Sequence, residues 1–577
     1  MATDNTVKRK SQQRQAIIRL LVMAAILVCI NMLAARFHYG IDLTKEKRFT
    51  LSASTKRLLH DMNDVAVVNV YLKGKFPAGF QRLADATRER LQTFRDESNN
   101  KIIFRFIDPF EGKTEEEKAP IYKELYEKGI YPLNLQTQSE EEGYGEKLVF
   151  PYALVQYRGR QMPVRLLEND KSVGAFQNLS NSEVLLEYKF ANAIHKLNKP
   201  AKTDIAYIVG HGEAIGANTY DMLNTLASLY NVDTFDMASN MYIPNAYKTI
   251  IINRPTTPLD DKEKFKIDQY VMRGGHVLWA IDQLYCPMDS MNTNSQQFMS
   301  LDYDLGLDDI LFKYGVRVNR DLIEDQQQCL PLAVMIPSQD GKPQMQLRPW
   351  IYYPVFMPTA SHPIVKNLYP IMGMFVNSID TIANPEVRKT ILLQSSKYSR
   401  TETFPVRVSM SILNYPLRPE MFNKPYQNAA VLLEGKFQSV FQNRLEPHFL
   451  QVLKDSLKRT FIGECDTPTS MIVISDGDIM WNDFSQSQGP METGYWKYAR
   501  TRFYNKELIL NCLEYLTDNS GLLEARAKDE VIRKLDSKRV TKEKLTWRVL
   551  NIGLPILLVL VFASAYIFFR KRKYEKA

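Results

Sequence analysis

The chain lacks the short motifs that most often mark an enzyme. Its 577 residues contain no G-x-x-x-x-G-K-[ST] loop, and so no backbone cradle and lysine to hold nucleotide phosphates. Any ATP hydrolysis connected with this protein is therefore expected from a partner. H-E-x-x-H, C-x-x-C and G-x-S-x-G are absent as well, which removes the commonest zinc-hydrolase, dithiol-redox and serine-hydrolase designs. No cofactor and no metal centre is implied. Cysteine is scarce, with five in all. Cys286, Cys329, Cys465 and Cys512 fall in the central region, and in an oxidising compartment their pairing would be open.

Also lacking is a basic groove for nucleic acid, despite a formal net charge of +9. Lys8, Arg9, Lys10 and Arg14 lie before the first apolar run, and Arg570, Lys571, Arg572, Lys573 and Lys576 follow the last. These residues account for most of the excess, so the middle of the chain is close to neutral and a nucleic-acid partner is not expected. A hydrophobic content of 45% with 24% charged residues is that of a globular chain, long enough for several domains.

Two apolar runs bracket the sequence. Residues 16–35 are about as long as a hydrocarbon core requires, with Arg19 near one edge where its side chain can reach the headgroups. Residues 549–569 form the second run and tolerate Pro555 in its first half. The basic residues gather on the outer flanks, which places residues 1–15 and 570–577 in the cytoplasm and the body between them outside it. Lys542, Lys544 and Arg548 on the inner flank of the second run weigh slightly against this. A cleaved signal peptide is the rival reading of residues 1–35, but the small residues of a cleavage site are missing. An uncleaved anchor is therefore expected.

Between the runs the pattern is α/β. Residues 65–73 read as a strand, 79–98 as a helix and 101–107 as a strand, a β-α-β order that opens an N-terminal unit over 36–200. The acidic stretch 139–147 reads as an exposed loop before strands near 148–157 and 161–167, and a helix is expected at 180–197. A larger unit, 201–521, alternates apolar strands (204–209, 232–236, 248–253, 276–281, 470–475) with helices near 218–229, 259–273 and 505–517, which is the mark of a doubly wound, mostly parallel sheet. Further strands are expected at 390–394 and 429–433. Residues 320–370, rich in Pro, Gln and Tyr, read as an irregular excursion. Residues 522–548 read as a charged helical stalk.

The order of several segments carries a resemblance. Ile41–Ser52 (IDLTKEKRFTLS), Ala86–Glu89, Phe106–Pro109, Gly210–Glu213, Pro258-Leu259 and Tyr270–Gly275 are together similar to auxiliary proteins of ABC transporters, in particular the gliding-motility-associated "substrate-binding" group, GldG. The resemblance covers nearly the whole chain, including both apolar ends. It implies an ABC permease subunit and a cytoplasmic ATPase subunit as partners, in the inner membrane of a bacterium of the Bacteroidetes type. A role in gliding or a related envelope process is implied with them. It also implies a class I glutamine-amidotransferase-like fold for the larger unit. Enzymes of that fold need a cysteine on a glycine-flanked turn. Here the strand ending at Asp282 continues Gln283-Leu284-Tyr285-Cys286-Pro287 without the glycines, so that activity is not expected.

The candidate ligand-binding residues are His211, Glu213, Asp282, Asp476 and Asp478, all at strand ends, where doubly wound sheets bind ligands. In Gly210-His211-Gly212-Glu213 two glycines permit a tight turn, and the imidazole and carboxylate could exchange a proton or bind a ligand. A structural turn is the favoured reading, because one His and one Glu make an incomplete metal site. Asp476 and Asp478 could hold a cation through oxygen, but Asp-Gly-Asp at a strand end is more often a bonded turn. Asp282 is expected to cap the segment after it. The aromatic run Trp350–Phe356 could stack on a sugar or a partner, or lie in a core. The expectation is a non-catalytic component of an ABC-type complex facing an envelope ligand. The alternatives are an anchored hydrolase or a peptidoglycan-binding module using the Gly210–Glu213 loop.

Overall fold

A computed structural model describes residues 18–29, 31–32, 50–74, 76–139, 143–168, 174–199, 201–288, 291, 296–337, 343–414, 417–456, 458–485, 489–518, 520–527 and 537–574. Arg14, the other N-terminal basic residues, positions 41–49 of the resemblance, much of the expected stalk and the last three residues lie outside them. Residues Met1–Lys528 and Asp529–Ala577 make two separate units.

The first sheet is built from the expected β-α-β unit. Helix α1 (Ala53–His60) starts where the Ser52 hydroxyl accepts from the Thr55 amide. Strand β1 (Ala66–Val70), helix α2 (Ala78–Glu97) and strand β2 (Ile102–Phe106) follow, and β1 and β2 pair in parallel from Ala66 opposite Ile102. Helix α3 (Glu115–Glu127) escapes a sequence reading because its charged positions mask any apolar stripe. The stretch expected as an acidic loop instead contributes a strand from Gly143 that pairs with Leu133–Ser139. Strands β3 (Tyr152–Tyr157) and β4 (Arg160–Arg165) complete a sheet of order β2-β1-β3-β4. Helix α4 (Ala175–Asn198) packs on it, burying Leu186, Phe190, Ala193, Ile194 and Leu197 in a core shared with Val68, Leu91 and Phe94.

The larger sheet has seven strands. In chain order its elements are β5 (Asp204–Val209), α5 (Tyr220–Leu229), β6 (Asn231–Asp236), β7 (Thr249–Asn253), α6 (Asp261–Met272), β8 (His276–Ala280), α7 (Asp308–Tyr314), β9 (Val387–Gln394), β10 (Asn428–Gly435), β11 (Thr469–Ile474) and α8 (Asn505–Thr517). The strand order is β9-β10-β11-β8-β7-β5-β6, with β11, β8, β7, β5 and β6 mutually parallel and β10 antiparallel to both neighbours. Side chains alternate between two buried faces. Ile205, Tyr207, Ile251, Leu278 and Ile472 pack with α5 and α8, while Ala206, Ile208, Ile250, Trp279 and Val473 pack with α6 and α7. Burial on both faces is why these strands read as continuous apolar runs rather than alternating ones.

The irregular excursion expected at 320–370 is corrected by the structure. It holds a strand at Asp321–Asp325 and a long antiparallel hairpin, Cys329–Pro337 with Pro343–Phe356. Proline misled the reading. Pro331 lies opposite Pro349 and Pro337 opposite Pro343, so every one of them falls on the same parity of the ladder. At that parity the backbone N–H positions face outward, and a ribbon tolerates residues that have none.

The expected stalk also begins differently. Leu522–Ala527 is a 3₁₀ turn that puts Leu522 into the core of the first sheet and Leu523 and Ala525 into the core of the larger one. Arg526 is buried, donates to Asn511 Oδ1 at 3.2 Å, and lies over the Tyr188 ring.

The second unit contains helix α9 (Ser537–Tyr574). Within it Val540–Arg572 is long and apolar enough to cross a membrane, and none of its apolar window is buried against the protein. Arg548 and Arg570, Lys571 and Arg572 stand on this helix at the two ends of the apolar stretch. At the other end of the chain the described helix Ile18–Cys29, which carries Arg19, is apolar but shorter than a span. The flanks that would complete it lie outside the described residues.

Candidate functional site

Four neighbouring parallel strands bring the sequence candidates to one edge of the larger sheet. β5 runs into His211 and Glu213, β7 into Arg254, β8 into Asp282, and β11 into Asp476 and Asp478. They form two clusters joined by one loop.

In the first cluster the His211 ring is clamped between two carboxylates. Its Nδ1 lies 3.3 Å from Glu213 Oε1 and its Nε2 lies 2.9 Å from Glu263 Oε2. The His211 amide donates to Glu213 Oε2 at 2.7 Å. Hydrogen bonding to Glu213, reinforced by Glu263, holds the imidazole pKa up at about 9 against the opposing effect of burial. Glu263 is fixed independently: it is the third residue of α6, and its carboxylate accepts from the Asp260 amide while Asp260 caps the Glu263 amide. The His211 carbonyl accepts from Thr256 N at 2.7 Å and from Thr257 N at 3.1 Å. Gly212 has φ +80°, and a Cβ there would stand 2.0 Å from Thr256 Oγ1, so both its conformation and its contact require glycine.

In the second cluster two carboxyl groups, Asp282 and Asp478, pair with one guanidinium, and a third, Asp476, lies beside them. Arg254 Nη1 is 2.6 Å from Asp478 Oδ1, and its Nε is 3.5 Å from Asp282 Oδ2. Asp282 Oδ1 accepts from Gly477 N at 2.6 Å. Asp476 accepts from its neighbour Asp478 N at 2.9 Å and from Met374 N at 3.1 Å. Burial, then the charge of Asp478, pushes the Asp282 carboxyl up to about 7, with Arg254 opposing. Burial and the charges of Asp282 and Asp478 push Asp476 up further still. One cation does not compensate three ionised groups of which two, Asp282 and Asp476, are buried, so protonation of the cluster is favoured. A Cβ on Gly477 would meet Arg254 Cγ and Asp282 Oδ2, each at 2.7 Å, so the glycine in Asp-Gly-Asp makes room for this packing.

The chain's own residues cover the edge. Tyr352, Tyr353, Phe375, Leu284 and Trp496 form a further core, and the Met374 amide that bonds Asp476 belongs to the same layer. Asn377, fully buried, ties the layers together by accepting from Gln283 N and donating to the Asp321 carbonyl. Trp350–Phe356 is therefore core: Trp350 and Ile351 have no exposed surface. Cys286 lies beside the cluster, and burial together with Asp282 and Asp478 pushes its thiol far above the range in which a thiolate forms. All five cysteines are free thiols. Among the described residues no group of three or more His, Cys, Asp or Glu side chains is arranged to hold a metal ion.

Asp282 does not cap the segment that follows it; it bonds across to Gly477, nearly two hundred residues on. Arg254 and Glu263 were not singled out in the sequence. Arg254 follows a strand of five buried residues and has φ +54°, but neither its partners nor those of Glu263 are visible in a linear pattern.

These features define a class: an α/β body in which the edge of the larger sheet where strands β5, β7, β8 and β11 end is filled by its own ion pairs, joined in one chain to a helix able to span a membrane. The chain belongs to the auxiliary family of ABC transporters described as "ABC-type uncharacterized transport system", which matches residues 202–512. A domain of unknown function matches residues 45–156. An uncharacterized protein of Borreliella burgdorferi (strain ATCC 35210 / DSM 4680 / CIP 102532 / B31) is 21% identical over 93% of this chain and 94% of its own length. A solved N-terminal domain, mmIFT52, is 11% identical and covers 55% of this chain and 98% of its own, with a TM-score of 0.29, too distant to bear on the fold.

Proposed function

We propose that the protein is a non-catalytic, membrane-anchored auxiliary subunit of an ABC-type complex, its body outside the cytoplasm and both chain ends inside. A permease and a cytoplasmic ATPase supply transport and energy, and the body meets an envelope ligand or partner. The proposal includes a link to gliding motility or a related envelope process in the inner membrane of a bacterium of the Bacteroidetes type. Family membership carries the reading. The covered sheet edge supports it, because the side chains of His211, Glu213, Asp282, Asp476 and Asp478 are mostly buried and engaged with one another, with Arg254 and Glu263, or with backbone amides. A chain held in the membrane does not diffuse to deliver a solute, so ATP-driven motion of the body fits better than solute capture.

The test is affinity purification from membranes in mild detergent. An ATPase and a multi-spanning permease should co-purify, and the absence of both overturns the proposal. An anchored hydrolase using the Gly210–Glu213 loop is tested by Glu213→Gln. Loss of function at normal protein level, normal thermal stability and normal assembly would favour the hydrolase.

A further inference from the structure

Away from the covered edge, the larger unit has an open cleft of about 1010 Å³. Its walls are α7, the antiparallel pair Val316–Val318 and Ile379–Thr381, the pair Asp321–Asp325 and Ser399–Thr403, and the turn at 439–444. Its volume is at the upper end of the roughly 300–1,000 Å³ usual for ligand sites, but it lacks their apolar lining. An apolar ligand would strip water from polar walls without replacing the hydrogen bonds.

The charges in this cleft are largely compensated. Asp308 pairs with Arg320 at 3.0 Å, Arg317 with Asp380 at 2.5 Å, and Asp309 with Lys264 at 3.2 Å. Asp321 is buried and accepts from both the amide and the hydroxyl of Ser378. Lys313 and Lys424 donate to Gln438 and Thr401. No block of one sign is left to attract a multiply charged ligand. Besides these charged groups and Arg444, which lies 3.8 Å from Asp309, the opening is lined by Phe312, 52% exposed, and by exposed Thr403, Gln442 and Asn443, whose side chains make no hydrogen bond among the described residues. A solvent-exposed ring beside neutral groups that both donate and accept suits one ligand chemistry: rings with an apolar C–H face and a rim of hydroxyls.

We infer that this cleft binds a neutral oligosaccharide segment, with Phe312 against a sugar face and Thr403, Gln442 and Asn443 on its hydroxyls. The inference gives a ligand class to the envelope-facing body and rests on that reading only for where the glycan is met.

The test uses the full chain in lipid nanodiscs, because maltoside detergents would compete for the site. Tetra-N-acetylchitotetraose, maltohexaose and inorganic phosphate are titrated separately by calorimetry. The expected result is saturable binding of at least one oligosaccharide. Phe312→Ala and Asn443→Ala should each weaken it about tenfold or more with unchanged unfolding temperature, and Phe176→Ala, an exposed ring elsewhere, should leave it intact. No oligosaccharide binding, binding of phosphate alone, or binding indifferent to both cleft variants overturns the inference. Co-purification of permease and ATPase is scored separately, so a failed sugar titration with an intact complex refutes the cleft and leaves the auxiliary reading standing.

Discussion

At the scale of single residues, both charged clusters favour the protonated state, over different pH ranges. His211 binds its proton more tightly folded, at about 9, than unfolded, at about 6.5. Its contribution to stability is therefore complete below about pH 6.5 and lost as pH rises through about 9. Thermal unfolding followed from pH 6 to 10 should show this decline in the wild type, and His211→Gln should flatten it. For Asp282, held up to about 7, the stabilising proton is gained below that value, so stability falls as pH rises from about 4 through about 7. Asp282→Asn keeps an oxygen for the Gly477 amide and should remove that slope. Arg254→Met leaves Asp282 and Asp478 buried without a cation and should cost about 3–5 kcal/mol in denaturant unfolding at pH 8. A cost under about 1 kcal/mol would show that the pairing is unimportant. None of this was legible in sequence beyond the residue types. The candidates at the ends of β5, β8 and β11 stood out by position, but Arg254, Glu263 and Asn377 act through partners far along the chain.

At the scale of elements, legibility followed burial. β5, β7, β8 and β11 were readable because both faces of each are buried, which leaves an uninterrupted apolar string. Helix α3 was not, because its charged positions hide it, and the hairpin at 329–356 was not, because its prolines read as interruptions. Ladder parity makes a direct prediction there. Ala333→Pro keeps the outward parity of Pro331 and Pro337 and should change stability by less than about 1 kcal/mol. Val334→Pro shifts to the inward parity, removes a ladder hydrogen bond and leaves a carbonyl unpaired, at a cost of about 1–3 kcal/mol more. Equal effects of the two substitutions in a denaturant titration would refute the parity assignment. The sequence reading also set the start of the stalk too early, because Leu522, Leu523 and Ala525 lie in a charged stretch whose few apolar residues gave no periodic signal.

At the scale of the whole molecule, the proposed topology is open to a reporter experiment. A green fluorescent protein fused after Ala577 should fluoresce and an alkaline phosphatase fused there should be inactive, since the first works in the cytoplasm and the second outside it. The reverse pair of results would invert the assignment of the basic cluster at Arg570–Arg572. Deleting residues 537–577 tests the other end: the body should stay with the membrane fraction if residues 16–35 are an uncleaved anchor, and become soluble if they are removed as a signal peptide.

The segment Leu522–Ala527 gives the body a particular load path. It is the last part of the body before the chain continues toward α9, and its consecutive side chains are keyed into different cores, Leu522 into one and Leu523 into the other. Tension applied along the chain beyond Ala527 would thus be divided between the two sheets. Neither sheet would be peeled strand by strand, and the body would be drawn as one piece.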